Sequence, residues 1–115
     1  MKSAHRHIGA TIAIAAAAAL LSAPATAHDA EAAKALIKRN DCGKCHALAK
    51  TKKGPSYKKI AKENRGKADV EAKLVKHLTS SPMVKLEDGT EEEHKEIDTK
   101  NPAELHNLVQ WILAQ

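Results

Sequence analysis

The chain has 115 residues, a formal net charge of +5, and only two aromatic side chains, Tyr57 and Trp111. That length supports one domain. The near-absence of aromatics leaves almost nothing for bases to stack on, so no nucleic-acid partner is expected despite the basic charge.

In chain order, the first element reads as a targeting segment. Lys2, His5, Arg6 and His7 form a basic start, Ile8 to Leu21 is an uncharged alanine-rich run, and Ala25-Thr26-Ala27 fits a small-x-small cleavage site. Residues 1–27 are therefore expected to be a secretory signal peptide, with residues 28–115 as the exported domain. The apolar run of 14 residues is short of the ~20 needed to span a bilayer as a helix. No membrane span is expected after cleavage, and the expected location is the periplasm. Removal of the leader takes away Lys2 and Arg6 and leaves a net charge of +3. A domain this small buries limited surface and often needs a staple.

Asp29 to Arg39 reads as a helix with Ala32, Ala33, Leu36 and Ile37 on one side. It runs into Cys42-Gly43-Lys44-Cys45-His46. Two cysteines two residues apart, followed directly by histidine, is the attachment pattern of c-type haem. Each thiol adds across one haem vinyl group, and the adjacent imidazole binds iron from the proximal side. Three other readings compete. A redox dithiol wants a surrounding βαβ pattern, which is missing, and a zinc site wants a second ligand pair, which does not follow. A disulfide uses both cysteines but gives no role to His46. The expected cofactor is one haem, bound covalently through Cys42 and Cys45, with His46 on the iron.

A basic loop follows and closes at Gly54-Pro55. Ser56 is a candidate cap for a short helix from Tyr57 to about Asn64, stopped near Gly66. Asp69 is a candidate cap for a helix from Val70 to about Thr79, on which Val70, Leu74, His77 and Leu78 share a face. Ser80-Ser81-Pro82 ends it. Met83 to Lys100 is irregular, with an Asp88-Gly89 turn and no strand signal. The last helix starts with Asn101 as N-cap, Pro102 in the first position and Glu104 completing a capping box. Leu105, Leu108, Val109 and Ile112 then form an apolar face with Trp111 beside it.

A leader, an N-terminal helix, CGKCH, the Gly54-Pro55-Ser56-Tyr57 loop and Leu108-Val109-Gln110-Trp111-Ile112-Leu113, in that order, resemble a small bacterial class I cytochrome c. The resemblance implies an all-α fold of three to five helices wrapped around one haem. It implies that the first and last helices cross near Ala33, Ile37, Leu108 and Trp111, and that the Pro55 carbonyl accepts the Nδ1 proton of His46. Leu74 and Leu78, on the shared face of the third helix, are expected to be cofactor-binding residues. Members of the family often carry an aromatic residue where Ile37 stands.

The sixth iron ligand departs from the family pattern. Most members use a methionine, and Met83 is the only one after the leader. Small bacterial members carry that methionine later in the chain. His94, 48 residues beyond His46 and 17 before Trp111, falls at the family's position, so the expected iron ligands are His46 and His94, with Met83 as the alternative. His77, His106 and an open site are further options. Glu91, Glu92, Glu93 and Glu96 surround His94 in sequence and are expected to favour its protonated form.

Residues 34–76 hold 14 Lys/Arg against 4 Asp/Glu, whereas residues 85–104 hold 3 against 8. Such a dipolar molecule suits steering towards acidic redox partners. The expected function is one-electron transfer between partner proteins, without substrate chemistry, by a monomer or a subunit of a larger complex. A ligand-binding sensor for nitric oxide or carbon monoxide, or a haem subunit of a larger oxidoreductase, is the alternative.

Overall fold

The computed structural model describes residues 28–115. The expected signal peptide, residues 1–27, lies outside the described residues. Helices dominate: α1 (Ala30–Arg39), α2 (Tyr57–Asn64), α3 (Val70–Thr79) and α4 (Pro102–Leu113), with a 3₁₀ turn at Cys42–Lys44. The segment expected to be irregular contains a small antiparallel hairpin, β1 (Met83–Lys85) and β2 (Glu91–Glu93), paired Met83↔Glu93 and Lys85↔Glu91. Three glutamates in a row carry no strand propensity. The register comes instead from the turn, where Leu86 N–H reaches Thr90 O and the Asp88 carboxylate accepts from Thr90 N–H. The all-α class stands, with this hairpin added.

The helix starts divide into kept and altered expectations. Asp29 caps α1 by accepting from Ala32 N–H, and Ser56 caps α2 by accepting from Lys59 N–H. Asp69 does not cap α3. Its backbone is left-handed, φ 56, and its side chain makes no cap bond. At α4 the capping box is also replaced. Asn101 accepts from Ala103 N–H, but Glu104 reaches back to the Thr99 hydroxyl, which in turn accepts from Asn101 N–H. A threonine thus relays what the glutamate alone was expected to supply.

The core is the crossing of α1 and α4, closed by α2. Ala33 and Leu36 of α1 pack with Leu105, Leu108, Trp111 and Ile112 of α4, Tyr57 and Ile97. Leu36 rather than Ile37 is the deeply buried α1 residue, with Ile37 at the edge. The expected apolar face of α4 is buried throughout, Val109 included. Truncating a side chain as enclosed as Leu108 leaves a cavity and costs about 2–5 kcal/mol.

Candidate haem site

α1 ends at Asn40, and Asp41 turns the chain through a left-handed conformation, φ 56. The 3₁₀ turn follows, with Cys45 and His46 N–H both directed to Cys42 O at 3.1 and 2.9 Å. The tight turn brings Cys42, Cys45 and His46 together on consecutive arms. Both thiols are half-buried and unjoined. Burial pushes the Cys42 thiol up. This is opposite to the lowered value of a nucleophilic dithiol.

Pro55 stands where expected. Its carbonyl accepts from His46 Nδ1 at 2.7 Å. A carbonyl can only accept, so Nδ1 carries the proton and Nε2 keeps its lone pair free for a metal. Gly54 lets the ring approach closely. A Cβ there would stand 3.0 Å from His46 Cε1 and 3.3 Å from Nδ1. The loop is closed by Gly54 N–H to Cys45 O and Tyr57 N–H to Ala47 O. Tyr57 lies 5.6 Å from the His46 ring and packs edge-on against Trp111 at 5.2 Å. The proximal histidine is thereby coupled to the helix crossing.

His94 immediately follows β2. Its N–H bonds to Pro82 O at 2.8 Å, and its Nδ1 to Lys95 O at 3.0 Å. Its Nε2 is therefore also left as the free nitrogen. The His46 and His94 ring centres are 6.2 Å apart. Met83 points away and is 60% exposed, on the strand opposite Glu93. His77 meets the His94 ring edge-on at 4.5 Å. Its position on the apolar face of α3 was the signal for a packed role, but the contact with His94 had no sequence signal. His106 is exposed and bonded to Glu71.

The expectation that neighbouring glutamates hold His94 protonated is overturned. Burial pushes its pKa down, as burial does for His77. Glu91, Glu92 and Glu93 are exposed along β2 while the half-buried imidazole lies inward. The neutral ring is favoured, which is the form that can bind metal.

Three observations test the fit to a haem. Two imidazoles on opposite sides of one metal, each at a nitrogen distance of about 2 Å, have ring centres about 6 Å apart, as His46 and His94 do. α3 is amphipathic yet buries no residue fully; Val70, Leu74, Val75 and Leu78 are all half-exposed. Val75 and Leu78 pack at the edge of the core, which leaves Val70 and Leu74 as the part of that face open to a bound group. Tyr57 Oη is buried with no hydrogen-bond partner among the described residues. The residues present therefore fit the group.

Fold and motif together define a small single-domain haem carrier of the class I c type. The cytochrome c family model matches residues 30–115, and the chain belongs to that family. Its class I members are electron carriers rather than enzymes, and they hold haem c covalently. Among solved structures, the class 1 cytochrome MtoD from Sideroxydans lithotrophicus ES-1 is similar at 55% identity and a TM-score of 0.73, covering 76% of this chain and 97% of that one. No curated protein matches. Among the described residues, no helix is long and apolar enough to cross a membrane.

Proposed function

We propose that residues 28–115 form a periplasmic carrier of one electron, exported by the leader at residues 1–27. Cys42 and Cys45 would hold one haem as thioethers, and His46 and His94 would bind its iron. When bound, the haem supplies an iron centre that gains and loses one electron. Pro55 fixes the proximal ring and raises its basicity. The Lys95 carbonyl does the same for His94. Leu74 and Leu78 exclude water from the distal side, which lowers the local dielectric and helps set the potential. Two imidazoles offered to the iron would keep its coordination alike in the two oxidation states, which favours fast transfer over ligand binding.

The observation that carries the reading is the pair of rings 6.2 Å apart, each with Nδ1 on a backbone carbonyl. Exposed Met83 has no comparable placement. The basic surface of residues 34–76 suits partners with acidic docking surfaces.

Mass spectrometry of the exported protein tests attachment: the expected mass is the chain from His28 plus one haem, with no titratable thiol. Electron paramagnetic resonance of the oxidised protein tests ligation. The expected spectrum is that of two imidazoles, unchanged in Met83→Leu. His94→Ala opens the reduced protein to carbon monoxide, and His94→Met raises the potential. A native low-spin spectrum lost in Met83→Leu and kept in His94→Ala would reverse the assignment.

A further inference from the structure

Asn40 is an asparagine only 3% exposed, two residues before Cys42. Its amide nitrogen donates to Leu36 O and to Asp98 Oδ1, both at 2.9 Å. Its amide oxygen accepts from Asp98 N–H at 2.9 Å. Both N–H groups and the carbonyl are thus engaged, two of the three bonds going to one residue 58 positions away. The other Asp98 oxygen accepts from Arg39 Nε at 2.9 Å. Asp98 lies four residues after His94. Between them the chain is tied by His94 N–H to Pro82 O and by Ile97 N–H to Leu78 O. Those backbone ties reach only the distal elements, although the Ile97 side chain also packs in the core with Ala33 and Leu36 of α1. The other link to the haem motif, Lys95 to Asp41 at 3.7 Å, joins two half-exposed side chains and is weak for that reason.

We propose that Asn40 and Asp98 are positioning residues for the distal ligand. They clamp the segment carrying His94 to the segment that leads into Cys42. This rests on His94 being the sixth ligand. For an external molecule to reach the iron, His94 must first leave, and leaving requires residues 94–98 to move away from α1. The clamp opposes that movement from the far end of the segment. A buried amide stripped of its partner is costly, so opening is rare while the clamp is intact. Arg39 adds a half-exposed ion pair and contributes little.

The test is the rate at which cyanide binds the oxidised, haem-loaded protein, followed by stopped-flow absorbance. Asn40→Leu is expected to bind at least tenfold faster than wild type. Asp98→Ala, which keeps its N–H on the Asn40 oxygen, is expected to fall between the two. Arg39→Gln is expected within twofold of wild type. Leu108→Ala serves as a variant destabilised away from the clamp, and it is expected to melt lower without faster cyanide binding.

Rates of Asn40→Leu within twofold of wild type overturn the proposal. So does an equal acceleration in Leu108→Ala, because the effect is then general loosening. If Asn40→Leu does not mature, Asp98→Ala decides, and a rate equal to wild type overturns the clamp. The paramagnetic spectrum of wild type separates this failure from the other: a two-imidazole spectrum with unchanged rates sinks only the clamp, whereas methionine ligation sinks the premise.

Discussion

Tyr57 shows how a single atom reports on what the fold is built to hold. Its ring joins His46 to Trp111, while its hydroxyl is buried without a partner and burial pushes its pKa up. An unpaired buried hydroxyl costs on the order of 1–3 kcal/mol. If the bound group supplies the missing partner, Tyr57→Phe keeps the ring but loses that bond. The melting midpoint of the haem-loaded protein is then expected to fall by several degrees, at about 4–8 °C per kcal/mol for a domain of this size. A rise in the midpoint, read by circular dichroism, would mean that the hydroxyl stays unpaired and does not report on the bound group. Gly54 makes the complementary point: the Gly-Pro pair reads as an ordinary turn in sequence, and only the approach of His46 shows that a side chain there would crowd the imidazole.

At the scale of elements, α4 is the best-secured helix, and its start depends on residues outside it. Asn101→Ala removes the acceptor for Ala103 N–H and is expected to cost about 1 kcal/mol. Thr99→Val breaks the relay between Asn101 N–H and Glu104 and is expected to cost a similar ~1–2 kcal/mol, although Thr99 precedes the helix. Denaturant midpoints at unchanged slope check both. If Thr99→Val is neutral while Glu104→Gln is not, the capping box expected from the sequence operates after all. α3 is the opposite case. With its apolar face half-exposed and no side-chain cap, it is expected to exchange amide hydrogen fastest of the helices in haem-free protein and to gain protection on haem attachment.

For the whole molecule, charge and acid response follow from the same arrangement. Burial holds His77 and His94 below their ordinary pKa. An unfolded chain takes up these protons more readily, so stability falls as pH drops below about 6.5. Asp98 is held low by its bond to Arg39 and then by Asn40. Its contribution is present above its ordinary value of about 4 and is lost as pH falls through the lower folded one. Asp88 is likewise held low by its bonds with Thr90. Two acid steps in the melting midpoint are expected: His77→Gln diminishes the first, and Asp98→Asn diminishes the second. The basic surface predicts a kinetic effect. Reduction by a negatively charged reagent is expected to slow as ionic strength rises, since charges beyond about 10 Å are screened at 0.1 M. Lys50→Glu with Lys53→Glu is expected to flatten that dependence, and an unchanged salt slope would place the docking charge elsewhere.

The sequence by itself determined the helices and the cysteine–histidine motif, because both are local. Periodicity places apolar residues on one side of α1 and α4, caps such as Asp29 and Ser56 need only their neighbours, and two residues between thiols are set by covalent spacing. Residue spacing also directed attention to His94 over Met83. Only the tertiary structure decided what surrounds them. Antiparallel pairing of β1 with β2 turns Met83 outward and brings the chain back so that His94 stands 6.2 Å from His46. The Thr99 relay is local, but the His77–His94 contact and the Asn40–Asp98 clamp depend on residues brought together by packing. No window of sequence contains both partners of the latter two, and burial, which reverses the expected charge preference of His94, exists only once the chain has folded.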